Sequence, residues 1–136
     1  MKTLMLDFDG VLHPTTCGEE DQFCRLRMLD NTLSSFDCNI VISSSWRHHL
    51  SFSTLIENFS STMRKSVVGK TGPPYVGKWA RYQEILDYCA AHGVRDWRAL
   101  DDSILEFPNP CKELILCDPN TGLDKPQVIA LKQWLS

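Results

Sequence analysis

Leu4-Met5-Leu6-Asp7-Phe8-Asp9-Gly10-Val11-Leu12 decides how the rest of the chain is read. A short apolar run ends on two carboxylates one residue apart, and glycine follows at once. The run has the length and composition of a buried strand, and Asp-x-Asp-Gly marks the break at its carboxyl end. Outward from it, apolar strands and helical periods alternate. Phe23, Leu26, Leu29, Leu33 and Phe36 predict an amphipathic helix over 21–36. Asn39-Ile40-Val41-Ile42 is β-branched and stops at Ser43, as a buried parallel strand does. Leu55, Ile56 and Phe59 share one face of a predicted helix over 50–59, whereas Gly69-Lys70-Thr71-Gly72-Pro73-Pro74 reads as loop. Helical period returns over 79–92 through Tyr82, Ile85, Leu86 and Cys89, with Gly93 as its stop. Residues 97–100 and 114–116 read as strands. Asp124 caps a last helix, with Pro126 in its first turn and Val128, Ile129, Leu131 and Leu135 facing inward. The order β-α-β-α-α-β-β-α implies an α/β fold, a three-layer, Rossmann-like parallel sheet with helices on both faces. The 136 residues suit one domain over 1–136.

Composition narrows the function classes. With 43% hydrophobic and 23% charged residues the chain is globular in type, and it contains no repeat, low-complexity segment or linker. No apolar run is long enough to span a membrane. Asp7 interrupts the N-terminal apolar stretch where a signal peptide would need more apolar residues, so a cytoplasmic protein is expected. The net charge of −3 gives no global attraction to nucleic acid or anionic lipid, and leaves room for a local basic strip. The six cysteines, at 17, 24, 38, 89, 111 and 117, contain no C-x-x-C pair, and three lie in or beside apolar stretches. Reduced thiols are expected, with a zinc site the lesser alternative. Nothing in the sequence calls for an obligate protein partner.

In parallel α/β sheets ligands bind beyond the carboxyl ends of the strands. The residues there are Asp7, Asp9, Ser43, Ser44, Asp101 and Asp102, and none is apolar. Acids after strands can simply cap helices or face water, and for any one of them that is the plainer reading. Four carboxylates converging on one edge repel each other unless a cation neutralises them. An all-oxygen divalent site answers this, and magnesium is the usual ion where carboxylates meet phosphate.

These residues carry a resemblance. Asp7-Phe8-Asp9-Gly10-Val11-Leu12 resembles the first motif of the haloacid dehalogenase (HAD) superfamily of phosphotransferases. Ser43, ending the second strand, resembles its second motif, and Asp101-Asp102 after Arg98-Ala99-Leu100 its acidic fourth motif. Ile42-Ser43-Ser44-Ser45-Trp46-Arg47, Arg81-Tyr82-Gln83-Glu84-Ile85 and Thr121-Gly122-Leu123 are similar to a small branch of that superfamily, which includes the HAD domains of bacterial multidomain RNA-repair proteins.

The resemblance implies a magnesium-dependent phosphatase working through an aspartyl-phosphate. Asp7 would be the nucleophile, already ionised at neutral pH and needing only relief from repulsion by the phosphate. Asp9 would protonate the leaving oxygen and then activate water, with its backbone carbonyl on the metal. Asp101 and Asp102 would complete the metal set with Asp7 and Asp9. Ser43 would hydrogen-bond the phosphoryl group, although Ser44 and Ser45 are open alternatives and any of the three can be a plain strand end or helix cap. The family's third motif is a basic residue early in the helix before the acidic strand. Lys78, at the start of that predicted helix, is favoured, and Arg81, within Arg-x-x-Glu-Ile, is the alternative. Arg47 is a candidate for gripping a second phosphate, or else one half of a surface ion pair. His13, His48 and His49 lie near strand ends, but nothing in this mechanism requires a histidine. A loop at Asn120-Thr121-Gly122 is expected at the same edge.

Neither the segment from Gly10 to the second strand nor that from Ser45 to Lys78 is long enough for a cap domain with its own core. The site is therefore expected to be open. An open site suits phosphate on a large substrate such as a polynucleotide end, and also admits small phosphoesters and nucleotides. A receiver-like signalling module would place adjacent acids after the first strand and the phosphorylated Asp after a middle one, the reverse of this order. A silent phosphate-binding module has no support, because every expected acid is present.

Overall fold

The N-terminal apolar run becomes the middle strand of a five-stranded parallel sheet in the computed structural model, which describes residues 1–136. Strand β1 (Lys2–Leu6) pairs on one side with β2 (Cys38–Ile42) and on the other with β4 (Trp97–Asp101). β3 (Val67–Lys70) and β5 (Leu114–Leu116) form the edges, in the order β3-β2-β1-β4-β5. Winding reverses at β1, so the crevice for a ligand opens at its carboxyl end.

Period-2 alternation divides the core into two layers. Leu4, Leu6, Ile40, Ile42 and Leu100 face one side and pack with α1 (Leu26–Leu33) and α5 (Lys125–Leu135) through Leu29 and Leu131. Met5, Val41 and Ala99 face the other side, against Ile85 and Cys89 of α4 (Ala80–His92). Continuing the alternation by one step puts Asp7, Ser43 and Asp101 on the α4 side. The backbone ladder runs on through these residues: Ser43 N–H donates to Leu6 O at 2.9 Å and Asp7 N–H to Leu100 O at 3.1 Å. Sheet geometry thus aligns the three polar residues in one row.

The structure departs from the sequence expectation in four places. The stretch expected to be loop holds β3, an edge strand with alternating half-buried and exposed residues. Gly69 and Lys70 look like loop chemistry, yet an edge strand tolerates glycine and favours lysine. The helix expected over 21–36 is confined to α1. Before it come a 3-10 turn, Glu19–Asp21, and Phe23 in a left-handed conformation with φ 62°. The helix expected over 50–59 is confined to α2 (Phe52–Leu55), capped by Ser51, and a further helix that was not expected, α3 (Ser61–Ser66), starts at the Ser60 cap. Ile129 of α5 points outward at 58% exposure, while Leu131 and Leu135 are buried. Asp124 does cap α5 in a full capping box with Gln127, and Pro126 sits in the first turn.

Only α1 and a turn separate β1 from β2, and the segment from Ser45 to Lys78 holds only a 3-10 turn (Ser45–His48), α2, α3 and β3, so no cap module is inserted at either place. No helix is long and apolar enough to cross a membrane. All six cysteines are free thiols.

Phe8, between the two acids of the motif, is fully buried and packs at 5.3–6.1 Å on Trp46, Phe23 and Phe59. Phe8→Ala is expected to lower unfolding free energy by about 3–5 kcal/mol with an unchanged denaturant slope. A loss well under 1 kcal/mol in urea titration would show that this cluster does not anchor the motif.

Candidate active site

The carboxyl ends of β1 and β4 deliver the acids to a cleft of about 320 Å³ lined by no apolar side chain. Ligand oxygens of Asp7, Asp101 and Asp102 lie within 4.8 Å of one another. Asp7 and Asp101 are buried, and Asp102 is half-buried. Gly10 permits this approach: it sits at φ +75°, and a Cβ there would overlap the Asp102 carboxylate. Thr15 Oγ1 donates to Asp102 Oδ2 at 3.2 Å.

Arg81, in the first turn of α4, supplies the positive charge. Its Nη1 lies 2.7 Å from Asp101 Oδ2 and 3.4 Å from Asp7 Oδ1. Burial opposes the charge on Arg81, but Asp101, Asp7, Glu106 and Glu84 outweigh it and raise the guanidinium pKa. One guanidinium does not balance three carboxylates. Burial, and then Asp101, hold the Asp7 carboxyl well above its ordinary value, with Arg81 pulling it back. Burial likewise pushes Asp101 up to about 6 against the pull of Arg81. Lys78 takes no part in this cluster: its ammonium lies over the Trp79 ring, 4.5 Å from the centroid.

Asp9 is held by two donors. Trp46 Nε1–H donates to Oδ2 at 2.9 Å, and His13 Nε2 lies 2.8 Å from Oδ1. His13 Nδ1 accepts from the Phe23 N–H at 3.2 Å, so the ring proton sits on Nε2 and points at Asp9. His13 is nearly closed to solvent while Asp9 stays 46% exposed, so the clamp fixes the carboxyl yet leaves it open to the cleft. His13 and Trp46 carry no role in the sequence expectation. The available signal was the Asp9-x-x-x-His13 spacing.

The three serines separate cleanly. Ser44 Oγ accepts from Trp46 N–H and caps the turn that follows. Ser45 lines the cleft. Ser43 is fully buried in the row with Asp7, and its hydroxyl has no partner. Arg47 is not presented to a ligand. Its guanidinium donates to Glu84 Oε1 at 2.9 Å, to the Ser43 and Ser44 carbonyls at 3.0 Å each, and to the Gly72 carbonyl at 3.1 Å. The turn around Asn120-Thr121-Gly122 lies against the first motif rather than in the cleft, with Leu123 N–H donating to Val11 O at 2.7 Å.

A Rossmann-like parallel sheet with paired aspartates at the carboxyl ends of its first and fourth strands, joined by a buried basic residue from the intervening helix, defines a HAD-type α/β domain. Residues 3–128 match the family described as the HAD domain in Swiss Army Knife RNA repair proteins, and the chain belongs to that family. No curated protein and no solved structure matches the chain. Membership places the chain among HAD-type phosphatases in the broad sense.

The buried acids make stability depend on pH. The folded state holds protons on Asp7 and Asp101 that the unfolded chain releases near its ordinary carboxylate value of 3.8. Between that value and the raised ones, stability contributed by these groups falls as pH rises. Asp7→Asn keeps the shape and cannot ionise. In metal-free buffer its melting temperature is expected to exceed that of the parent at about pH 8, with the gap closing toward about pH 4. A gap that is constant or reversed would contradict the buried-charge assignment.

Proposed function

We propose that the chain is one HAD-like domain over 1–136 that hydrolyses phosphomonoesters at an open, capless site, with a polynucleotide end as its substrate. The observation that carries the reading is the gathering of Asp7, Asp101 and Asp102 around one point, beside the clamped Asp9 and buried Arg81. The donor set fits magnesium: three carboxylates, no nitrogen or sulfur ligand, and a single guanidinium that leaves negative charge uncompensated. Asp7, Asp101, Asp102 and the Asp9 carbonyl would hold the ion. When bound, it would supply charge neutralisation between Asp7 and the incoming phosphate.

In the first step an Asp7 oxygen bonds to phosphorus as the bond to the substrate oxygen breaks, and Asp9 gives that oxygen its proton. In the second step Asp9 takes a proton from water, the water oxygen bonds to phosphorus, and the bond to Asp7 breaks. Inorganic phosphate leaves and both acids return to their starting states. Arg81 stabilises charge on the phosphoryl oxygens and is the basic residue of this reading, in preference to Lys78. The Ser43 hydroxyl, unpartnered beside Asp7, suits a phosphoryl oxygen. Ser44 acts through the turn it caps, and Arg47 by fixing the carbonyls of Ser43 and Ser44. Family membership among RNA-repair HAD domains supports a nucleic-acid phosphate.

Hydrolysis of an aryl phosphate and of 5′- and 3′-phosphorylated oligonucleotides is expected with magnesium and not with EDTA. Asp7→Asn should remove it while the fold is retained. Full activity in that variant would exclude the mechanism. Arg81→Gln is expected to lower kcat by about a hundredfold or more, while Lys78→Gln keeps most of it on the aryl phosphate. The reverse ranking would restore Lys78 as the basic group. His13→Ala and Trp46→Phe should each reduce kcat by about tenfold or more with little change in KM, because each removes one of the two donors that aim Asp9. An effect confined to KM would place them in substrate binding.

A further inference from the structure

Outside the carboxylate cleft, the carboxyl edge of the sheet carries a second groove of about 290 Å³, lined by Arg47, His48, Lys70, Thr71, Gly72 and Pro73. Its chemistry is the opposite of the cleft. No acid lines it, whereas Asp7, Asp9, Asp101, Asp102 and Glu106 all line the cleft. His48 and Lys70 are exposed. Thr71 is 2% exposed, and its hydroxyl joins that of Ser43 as a buried side-chain atom with no hydrogen-bond partner. The two are neighbours on the sheet. Thr71 N–H continues the ladder by donating to Ile42 O at 2.9 Å, so Thr71, Ser43 and Asp7 stand in one row, each one residue past the end of β3, β2 and β1. Two strand spacings, about 10 Å, separate the groove from the nucleophile.

The segment 72–79 joins the two places. It begins at the groove wall with Gly72 and ends against α4, two residues before Arg81. Glu84 Oε2 fastens its middle by accepting the Tyr75 N–H at 2.9 Å. Tyr75 and Trp79 remain 42% and 37% exposed along it. Trp79 adopts φ 55°, a left-handed conformation that a bulky residue rarely takes and that here leaves its ring at the surface. A cation, Lys70, with hydrogen-bonding groups for a phosphodiester, beside exposed rings for bases, is what single-stranded nucleic acid requires. A small phosphoester would not reach from Asp7 to the groove, and a phosphopeptide needs no pair of rings.

We propose that this strip seats a single-stranded polynucleotide, with its terminal phosphate at Asp7, an internal phosphodiester in the groove of Lys70, His48 and Thr71, and bases against Trp79 and Tyr75. The proposal rests on the phosphatase reading above and names the strandedness of its substrate and the residues that select it. The test compares the parent with Trp79→Ala, Trp79→Phe and Lys70→Ala, each checked for an unchanged melting temperature. The first readout is kcat/KM for a phosphorylated single-stranded oligonucleotide relative to a nucleoside monophosphate. The second is binding of the labelled oligonucleotide by fluorescence anisotropy across a salt series. Trp79→Ala is expected to lower both the ratio and the affinity by about tenfold or more, with Trp79→Phe restoring most of each. Lys70→Ala should reduce the slope of log affinity against log salt by about 0.7. An unchanged ratio and affinity in Trp79→Ala and Lys70→Ala would overturn the strip while leaving the phosphatase reading intact. A parent that hydrolyses the monophosphate but neither prefers nor binds the oligonucleotide would overturn strip and polynucleotide substrate together. A parent that binds the oligonucleotide through Trp79 and Lys70 but hydrolyses neither substrate would support the strip and overturn the phosphatase.

Discussion

Electrostatic repulsion among Asp7, Asp101 and Asp102 is the constraint around which the molecule is arranged. Three carboxylates with oxygens within 4.8 Å of one another are unfavourable in any fold that does not offset them. The sheet imposes the proximity, because β1 and β4 are direct neighbours and their ends share one row. The offset is limited to Arg81, which reaches both Asp7 and Asp101 from α4. Charge is therefore left over, and in the proposed reading it faces the place where a cation and a phosphate would meet. Destabilisation concentrated at one point, with the surrounding core well packed, is the usual mark of a functional site.

Arg81 is in turn held by a second layer of charge. Glu84, one turn further along α4, lies 3.8 Å from Arg81 Nε and accepts from Arg47 Nη2 at 2.9 Å. Arg47 ties the carbonyls after β2 to the loop after β3. The Arg81–Glu84–Arg47 chain thus links the ends of β4, β1, β2 and β3 through buried side chains. On the other flank, Phe8, His13, Phe23 and Trp46 form an aromatic cluster with ring centroids 5.3–5.8 Å apart. Two of its members hold Asp9. The two acids of one tripeptide are therefore positioned by different means, Asp7 by the charge network and Asp9 by neutral N–H donors.

The sequence exposed the strands with strong apolar composition and the acids that end them, because a buried parallel strand has a one-sided signature and Asp-x-Asp-Gly interrupts it sharply. It hid β3, where Gly69 and Lys70 on an edge imitate a loop. It also hid the early end of α2 at Leu55, since Ile56 and Phe59 keep helical spacing beyond it, and the fresh start of α3 at the Ser60 cap. At the site, residue types were readable and side-chain commitments were not. Whether Arg81 or Lys78 meets the carboxylates depends on where α4 begins: it begins at Ala80, so Arg81 stands in its first turn on Asp101 and Asp7, whereas Lys78 precedes the helix and lies over the Trp79 ring. That Arg47 is fully engaged by Glu84 and backbone carbonyls, and that His13 holds Asp9, follow from tertiary contacts that no local pattern encodes.

The central claim is that Asp7 carries the phosphoryl group during turnover. The most direct measurement is acid quenching of the protein during hydrolysis of a phosphorylated oligonucleotide with magnesium, followed by borohydride reduction and peptide mass spectrometry. Reduction converts an aspartyl-phosphate to homoserine. Homoserine at position 7, absent when substrate is omitted, is the predicted result. Homoserine at another aspartate, or none at any position while hydrolysis proceeds, would contradict the assignment of Asp7 as nucleophile.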